Sequence, residues 1–396
     1  MQQNNKVPKS ELDARLRCFT SEMDNTHPSW ELCGITGGVN MYYLTGTICD
    51  GLLLVRRGDS AVLWVRRSYE RALLESEFGD IRRMTTFRDV AAGTGPLPDT
   101  LYLDMTNATL AWHGLLAKYM PFKDVLSADG AMQKTRAVKS EFELQLIRKA
   151  GGTLDRMLRE DFPTLLCEGV SEVELSAKMF SLFMQNGHHG LNRYTGADAV
   201  LGHVAFAEGP LYPSVFDGAS GIAGLCPALP IIGSRDRFLR DGDLIYVDPA
   251  FGIDGYHVDK TLIFSYKKPA PDHAVAAHRH CLDLESMAAK MLRPGVRPSE
   301  IYDAVISSVL PEFRDSFMGA PGRAVPFIGH SLGLYLDERP VIARGFDDPL
   351  TLDMVIALEP KIGITGVGMV GSENTYLVTE SGGVSITGCP SDIILC

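Results

Sequence analysis

The sequence predicts an α/β fold in two domains, and three observations predict it. Residues 12 to about 135 alternate strand-like with helix-like segments, a series of amphipathic helices follows, and the final hundred residues turn to β pattern. The 396 residues, 45% hydrophobic and 22% charged, suffice for two domains with cores of their own. Net charge is −11 with no basic patch, which argues against nucleic acid and anionic membrane as partners.

The N-terminus MQQNNKVPKSELDAR is polar and lacks the apolar centre of a signal peptide, and no run approaches the ~20 apolar residues that span a bilayer. A soluble cytoplasmic protein is expected. GLLLVRRG and AVLWVRR read as a hairpin around Gly58-Asp59, LYLDM as a short buried strand, and ATLAWHGLLAKYM as a helix. This part has no P-loop and no strand-linked G-x-G-x-x-G, so no chemistry is assigned to it. A boundary falls near TRAVKSEFELQLIRKA, giving domains 1–138 and 139–396. The helix beginning there interleaves charges with Phe142, Leu144 and Ile147. In the next, Ser171 and Glu174 form a capping box before Leu175, Met179 and Phe183, and Gly187 supplies the stop. A third helix runs from about Asp272 to Leu292 and a fourth starts at Pro298-Ser299. MVIALEPKIG and GMVGSENTYLVTE then read as strands. The eight cysteines show no C-x-x-C and read as reduced thiols; Cys226, in a Gly-rich loop, is the one weighed as a nucleophile against the ordinary role of a small hydrophobe.

In YVDPAFGIDGYHVDKTLIF, Asp248 and Asp259 stand on either side of an Asp254-Gly255 turn, which makes them direct or diagonal neighbours on one face of a ribbon. Two like charges about 4 Å apart repel by roughly 4 kcal/mol at an effective dielectric near 20. A divalent metal or one shared proton resolves this, and a solvated hairpin avoids it. Downstream, His330 sits in a glycine-flanked turn, Glu359 in VIALEP and Glu373 in GSENTYLVTE. Each Glu alone reads as a strand-end residue reaching solvent, and a lone His as a hydrogen-bonded residue of the fold. Five in order favour metal. Asp248, Asp259, His330, Glu359 and Glu373 supply four carboxylates and one imidazole, enough for two ions if one Asp and one Glu bridge. Such oxygen-rich ligation favours Mn²⁺, Fe²⁺ or Co²⁺ over a structural zinc, and a pair of ions suits hydrolysis.

The pattern V-D-x10-D-x-T, then G-H-x-x-G-L, A-L-E-P and E-x-T-x-L-V-T-E resembles the pita-bread metallopeptidases: methionine aminopeptidase, aminopeptidase P and prolidase, with creatinase as a metal-free relative. The resemblance covers roughly residues 139 to 385, and NMYYLTGT with the hairpin after it looks like the creatinase-type N-terminal domain. It implies a creatinase-like α/β domain followed by a pita-bread α+β domain with a curved antiparallel sheet. It implies that Asp248 chelates a first ion, Asp259 and Glu373 bridge, and His330 and Glu359 hold a second, with Glu359 as general base. It further implies a homodimer and a metallohydrolase of Xaa-Pro aminopeptidase or dipeptidase type, acting on a small peptide or peptide-like amide.

Two departures stand out. Where the family has P-H-H-G this chain has Ile231 and Ile232, or Ser214 in a shifted alignment; where it has H-E-x-P the chain has Asp337 in DERP. Loss of one preorganised donor of that kind costs about 10²–10³ in rate. The loop from Gly187 to Pro230 offers His188, His189, Arg193, Tyr194 and His203, and His203 is the expected replacement imidazole. His257, two residues before Asp259, is expected to orient a ligand. Asp337 in place of an imidazole suggests a substrate with positive charge near the scissile bond. A non-peptide C–N or C–X hydrolase or lyase, and a catalytically silent metal-binding homologue, remain alternatives on the same fold.

Overall fold

A computed structural model describes residues 6–195, 197–199, 203–213 and 218–396, in two compact units, Met1–Arg136 and Ala137–Cys396. In the first, six strands order as Ile81–Arg83, Val62–Arg67, Asp50–Arg56, Leu32–Ile35, Thr100–Leu103 and Asp124–Ser127. The expected hairpin joins the second and third of these, turning where Gly58 takes φ 72°. Leu32, Leu52, Leu54, Trp64, Leu101 and Leu103 fill its core. Buried Asp104 accepts the amide protons of Thr36 and Gly37, each at 2.8 Å, fixing the entry to the helix Gly38–Thr45, which takes in most of NMYYLTGT. The helix expected from ATLAWHGLLAKYM is shorter, Leu110–Leu116, capped by the Thr109 hydroxyl.

The second unit opens with α1 (Glu141–Arg156), whose Ser140 and Glu143 make a reciprocal capping box, and α2 (Glu172–Gln185), capped the same way by Ser171 and Glu174. Helices α3 (Asp272–Met291) and α4 (Pro298–Ser308) follow the central hairpin. Ten strands carry the argument: β1 (His203–Phe206), β2 (Leu244–Asp248), β3 (Ala250–Ile253), β4 (Tyr256–Ser265), β5 (Phe327–Ser331), β6 (Glu338–Ala343), β7 (Val355–Leu358), β8 (Lys361–Ile364), β9 (Gly368–Gly371) and β10 (Glu373–Thr379). The main sheet runs β6-β5-β7-β10-β4-β2-β1, all antiparallel along this path, with β3 folded back on β4. One core cluster gathers Tyr246, Ile263, Ile356 and Tyr376 of the strands with Ala277, Cys281, Leu284, Ile301 and Val305 of α3 and α4. This is the curved-sheet pita-bread architecture that the resemblance implies.

Asp254 (φ 48°) and Gly255 (φ 94°) both take the left-handed conformation, the signature of a two-residue turn that matches strand twist. One expectation is corrected. The stretch from Gly187 to Pro230 is not all loop, because among its described residues Asn192–Tyr194 pairs with Ala197–Ala199 and β1 adds a strand beside β2. Four residues are too short to show a period, and the partner supplies the pairing.

Within α1, a Cβ built on Gly151 would stand 2.6 Å from the Ile386 carbonyl oxygen, whereas one on Gly152 meets nothing within 4 Å. Gly151→Ala is expected to cost about 1–3 kcal/mol through overpacking, and Gly152→Ala to leave stability unchanged or raise it by up to about 1 kcal/mol. Thermal melts of the two variants check the contrast; equal melts would contradict this packing.

Candidate metal centre

Strand register explains why residues far apart in sequence meet. Val247 lies opposite Leu262, so Asp248 at the end of β2 stands opposite Thr261, and Thr261 lies opposite Glu373 on β10. One position of the same parity along, Asp259 pairs with Ala250 on β3, and its amide donates to the Thr375 hydroxyl at 2.9 Å. Thr375 lies opposite Ala357, which lies opposite His330 on β5. Directly opposed and alternate residues share a face, so two adjacent cross-strand rows deliver Asp248, Glu373, Asp259 and His330 to one side of the sheet. Glu359 follows β7 by one residue, its amide bonded to the Ile328 carbonyl at 3.0 Å. The two aspartates are diagonal neighbours.

Asp259, His330 and Glu373 each offer one ligand atom, all within 4.8 Å of one another. The Nδ1 of His330 lies 3.1 Å from the Ser331 carbonyl, an acceptor only, so that nitrogen carries the proton. The Nε2 then presents a lone pair toward Glu359 Oε1 at 3.6 Å and Glu373 Oε1 at 4.0 Å. These separations are too long for a hydrogen bond and suit oxygen and nitrogen gathered about a shared cation, so the residues fit a divalent ion. Burial first, and then the charge of Asp248, pushes the Asp259 carboxyl up to about 7. Burial and then Asp259 raise Glu373 well above the usual carboxylate range.

Lys361 is the residue that sequence reasoning missed. It lies on β8, and its Nζ donates to Glu359 Oε2 and Glu373 Oε2 at 2.8 Å each and to Asp248 Oδ2 at 3.3 Å. Burial works against its charge, but Asp248, Glu359 and Glu373 outweigh burial and hold the ammonium well above its ordinary pKa. Asp248 has further partners: Oδ1 accepts from the Thr261 hydroxyl, and Oδ2 from Tyr246 at 2.8 Å and Ser220 at 3.5 Å. A lysine two residues after a glutamate in an otherwise apolar run was the available signal, as was Tyr246, two positions before Asp248 on the same face.

The remaining expected residues divide. His203 lies opposite Asp248 in backbone register, while its side chain and Ser214 lie outside the described residues. Ile231 and Ile232 occupy the irregular segment before β2. Asp337 is exposed, and its Oδ1 accepts from the Thr195 amide at 2.7 Å and the Thr195 hydroxyl at 3.1 Å, so it anchors the turn after Tyr194. The Tyr194 phenol has its pKa raised by burial and then by Asp259, Asp248, Asp337 and Glu373, which places it in the field of the cluster. Among the described residues the His257 ring bonds none of the five expected ligands. Its Nδ1 faces the Gly333 carbonyl at 3.1 Å, and its Nε2 accepts from the Arg193 amide at 3.3 Å and faces His189 Nε2 at 3.2 Å. His189 takes the Gly255 amide on Nδ1, so its Nε2 carries the proton shared with His257. Burial first holds both rings neutral, His189 down to about 3 and His257 to about 4. Cys226 is exposed, and its backbone pairs with Leu229.

A family model described as "Metallopeptidase family M24" matches residues 145–380, and one described as "Creatinase/Prolidase N-terminal domain" matches residues 31–138. The chain is 30% identical over 379 residues, 91% of each protein, to the "Probable dipeptidase PepE" of Mycobacterium tuberculosis. It is 25% identical to the "Xaa-Pro dipeptidase" of Pyrococcus horikoshii, covering 90% of this chain and 92% of that one. The crystal structure of dipeptidase PepE from Mycobacterium ulcerans superposes with a TM-score of 0.78 at 24% identity, over 99% of both chains, a likeness that carries the fold.

With the Asp259 carboxyl raised above its unfolded value, its contribution to metal-free stability is present at low pH and is lost as pH rises through about 7. Metal bound to the ionised cluster restores it by mass action. The rise in thermal midpoint that Mn²⁺ gives over chelator-treated protein is therefore expected to grow by several degrees between about pH 5.5 and pH 8. A rise that is flat or shrinking across that range would contradict the cluster.

Proposed function

This chain belongs to metallopeptidase family M24, and on that premise we propose that it is a metal-dependent dipeptidase, taking dipeptides and short peptides with Xaa-Pro bonds among them. The names of its relatives support that substrate class, dipeptidase for PepE and Xaa-Pro dipeptidase for the Pyrococcus protein. The observation that carries the reading is the His330 lone pair turned toward Glu359 and Glu373, beside Asp259.

Asp259, His330 and Glu373 would hold a divalent ion, with Glu359 Oε1 at its side. When bound, such an ion polarises a carbonyl and makes water a stronger acid. The oxygen-rich donor set favours Mn²⁺, Fe²⁺ or Co²⁺ over Zn²⁺. The two ions expected from sequence meet a competitor in Lys361, whose ammonium touches three of the four carboxylates.

Glu359 is the general base of this reading. Lys361 fixes its Oε2 and leaves Oε1 facing the side where His330 stands, so the group that takes a proton from water is held in one rotamer. Thr195, pinned by Asp337, positions the Tyr194 hydroxyl as a donor to the developing oxyanion, the part the family's missing imidazoles would play. His203, opposite Asp248 in register, is the second candidate for that part. Asp337 serves by anchoring the turn. The homodimer is supported by family resemblance alone, and no helix among the described residues is long and apolar enough to cross a membrane.

Manganese-loaded protein is expected to hydrolyse members of a panel of Xaa-Pro and proline-free dipeptides. Glu359→Gln should lower kcat/KM about 10²–10⁴-fold with the fold intact, and Tyr194→Phe or His203→Ala about 10²–10³-fold if either is the replacement donor. No turnover across the panel with metal demonstrably bound would overturn the peptidase reading.

A further inference from the structure

Two places for positive charge open onto the carboxylate cluster, and each glutamate divides its oxygens between them. Glu359 turns Oε2 to Lys361 at 2.8 Å and Oε1 to His330 at 3.6 Å; Glu373 turns Oε2 to Lys361 at 2.8 Å and Oε1 to His330 at 4.0 Å. The first place is already filled. The Lys361 side chain is 2% exposed, and its three ammonium protons meet three acceptors on Glu359, Glu373 and Asp248. Around it, both oxygens of Asp248 accept hydrogen bonds from protein groups, Thr261 on one and Tyr246 on the other. An ion chelated by Asp248 and shared with Glu373 would have to take the oxygens these donors hold and lie against the ammonium with no water between. The second place, bounded by Asp259, His330 and the Oε1 atoms of both glutamates, has no cation of the protein in it among the described residues.

We propose that Lys361 is a built-in cation standing where one of two metal ions would otherwise sit, so that the chain takes a single divalent ion, at Asp259, His330, Glu373 and Glu359. The inference rests on the metal-binding part of the proposed function and sets its stoichiometry. In this arrangement Asp248 serves to hold the ammonium and is not a metal ligand. Lys361 supplies charge without Lewis acidity, so activation of water falls to the one ion and to Glu359.

The test is metal content of the full chain, stripped with chelator, equilibrated with excess Mn²⁺, desalted and measured by plasma mass spectrometry, with electron paramagnetic resonance of the same samples. Wild type is expected to hold about one Mn²⁺ per chain with an uncoupled six-line spectrum. Lys361→Met and Lys361→Ala, each checked for native circular dichroism, are expected to move toward two per chain with a spin-coupled signal. Two ions or a coupled spectrum in wild type would overturn the inference and leave the peptidase reading standing. Two folded variants that both stay at one ion would overturn it as well. No ion in wild type would overturn the metal reading itself, a separate outcome from failure on the dipeptide panel.

Discussion

Repulsion among four carboxylates on one face of one sheet is the constraint from which the catalytic unit follows. A pair of unit charges about 4 Å apart costs roughly 4 kcal/mol at an effective dielectric near 20, and a domain is held by only about 5–15 kcal/mol in total. Asp248, Asp259, Glu359 and Glu373 cannot share that space ionised without positive charge among them. Lys361 brings one charge, which leaves three of the four uncompensated. The upward shifts of Asp259 and Glu373 record the remainder, and a dication between them and His330 offsets two of those three charges.

The same electrostatics limits how many ions the cluster accepts. A dication about 4 Å from an ammonium is repelled by about 8 kcal/mol at the same effective dielectric, twice the unit-charge value. Partition of the glutamate oxygens separates the two positive groups: the Oε2 atoms face the lysine and the Oε1 atoms face the imidazole. The fold supports this division through the pairing of β10 with β4, since a one-residue slip there would turn Glu373 away from Thr261 and to the other face.

Much of the site was legible because charge in an apolar run must be explained. Asp248, Asp259, Glu359 and Glu373 each sit in or at the end of such a run, and the turn between the aspartates is set by Asp254-Gly255, residues suited to left-handed backbone. The capping boxes at Ser140 and Ser171 were equally plain, being local in sequence. Lys361 escaped because two of its three partners, Asp248 and Glu373, come from other strands, and a lone lysine in LEPKIG reads as a strand-end residue reaching water. His257 shares a strand face with Asp259, so periodicity put it near the metal. Its ring instead meets the Gly333 carbonyl and the Arg193 amide, and the second contact exists only once residues 187–195 are placed. The strand at His203–Phe206 was hidden for a similar reason, since its pairing is supplied by β2 and not by any pattern of its own.

Anomalous diffraction at the manganese edge from crystals of the Mn²⁺-loaded chain tests the central claim most directly, because it locates every ion relative to the cluster. The account predicts one peak, bounded by Asp259, His330, Glu359 and Glu373, with the Lys361 ammonium still on Asp248 and the Oε2 atoms of both glutamates. A cluster without any peak at saturating Mn²⁺, or two peaks with Lys361 displaced from the carboxylates, would contradict it.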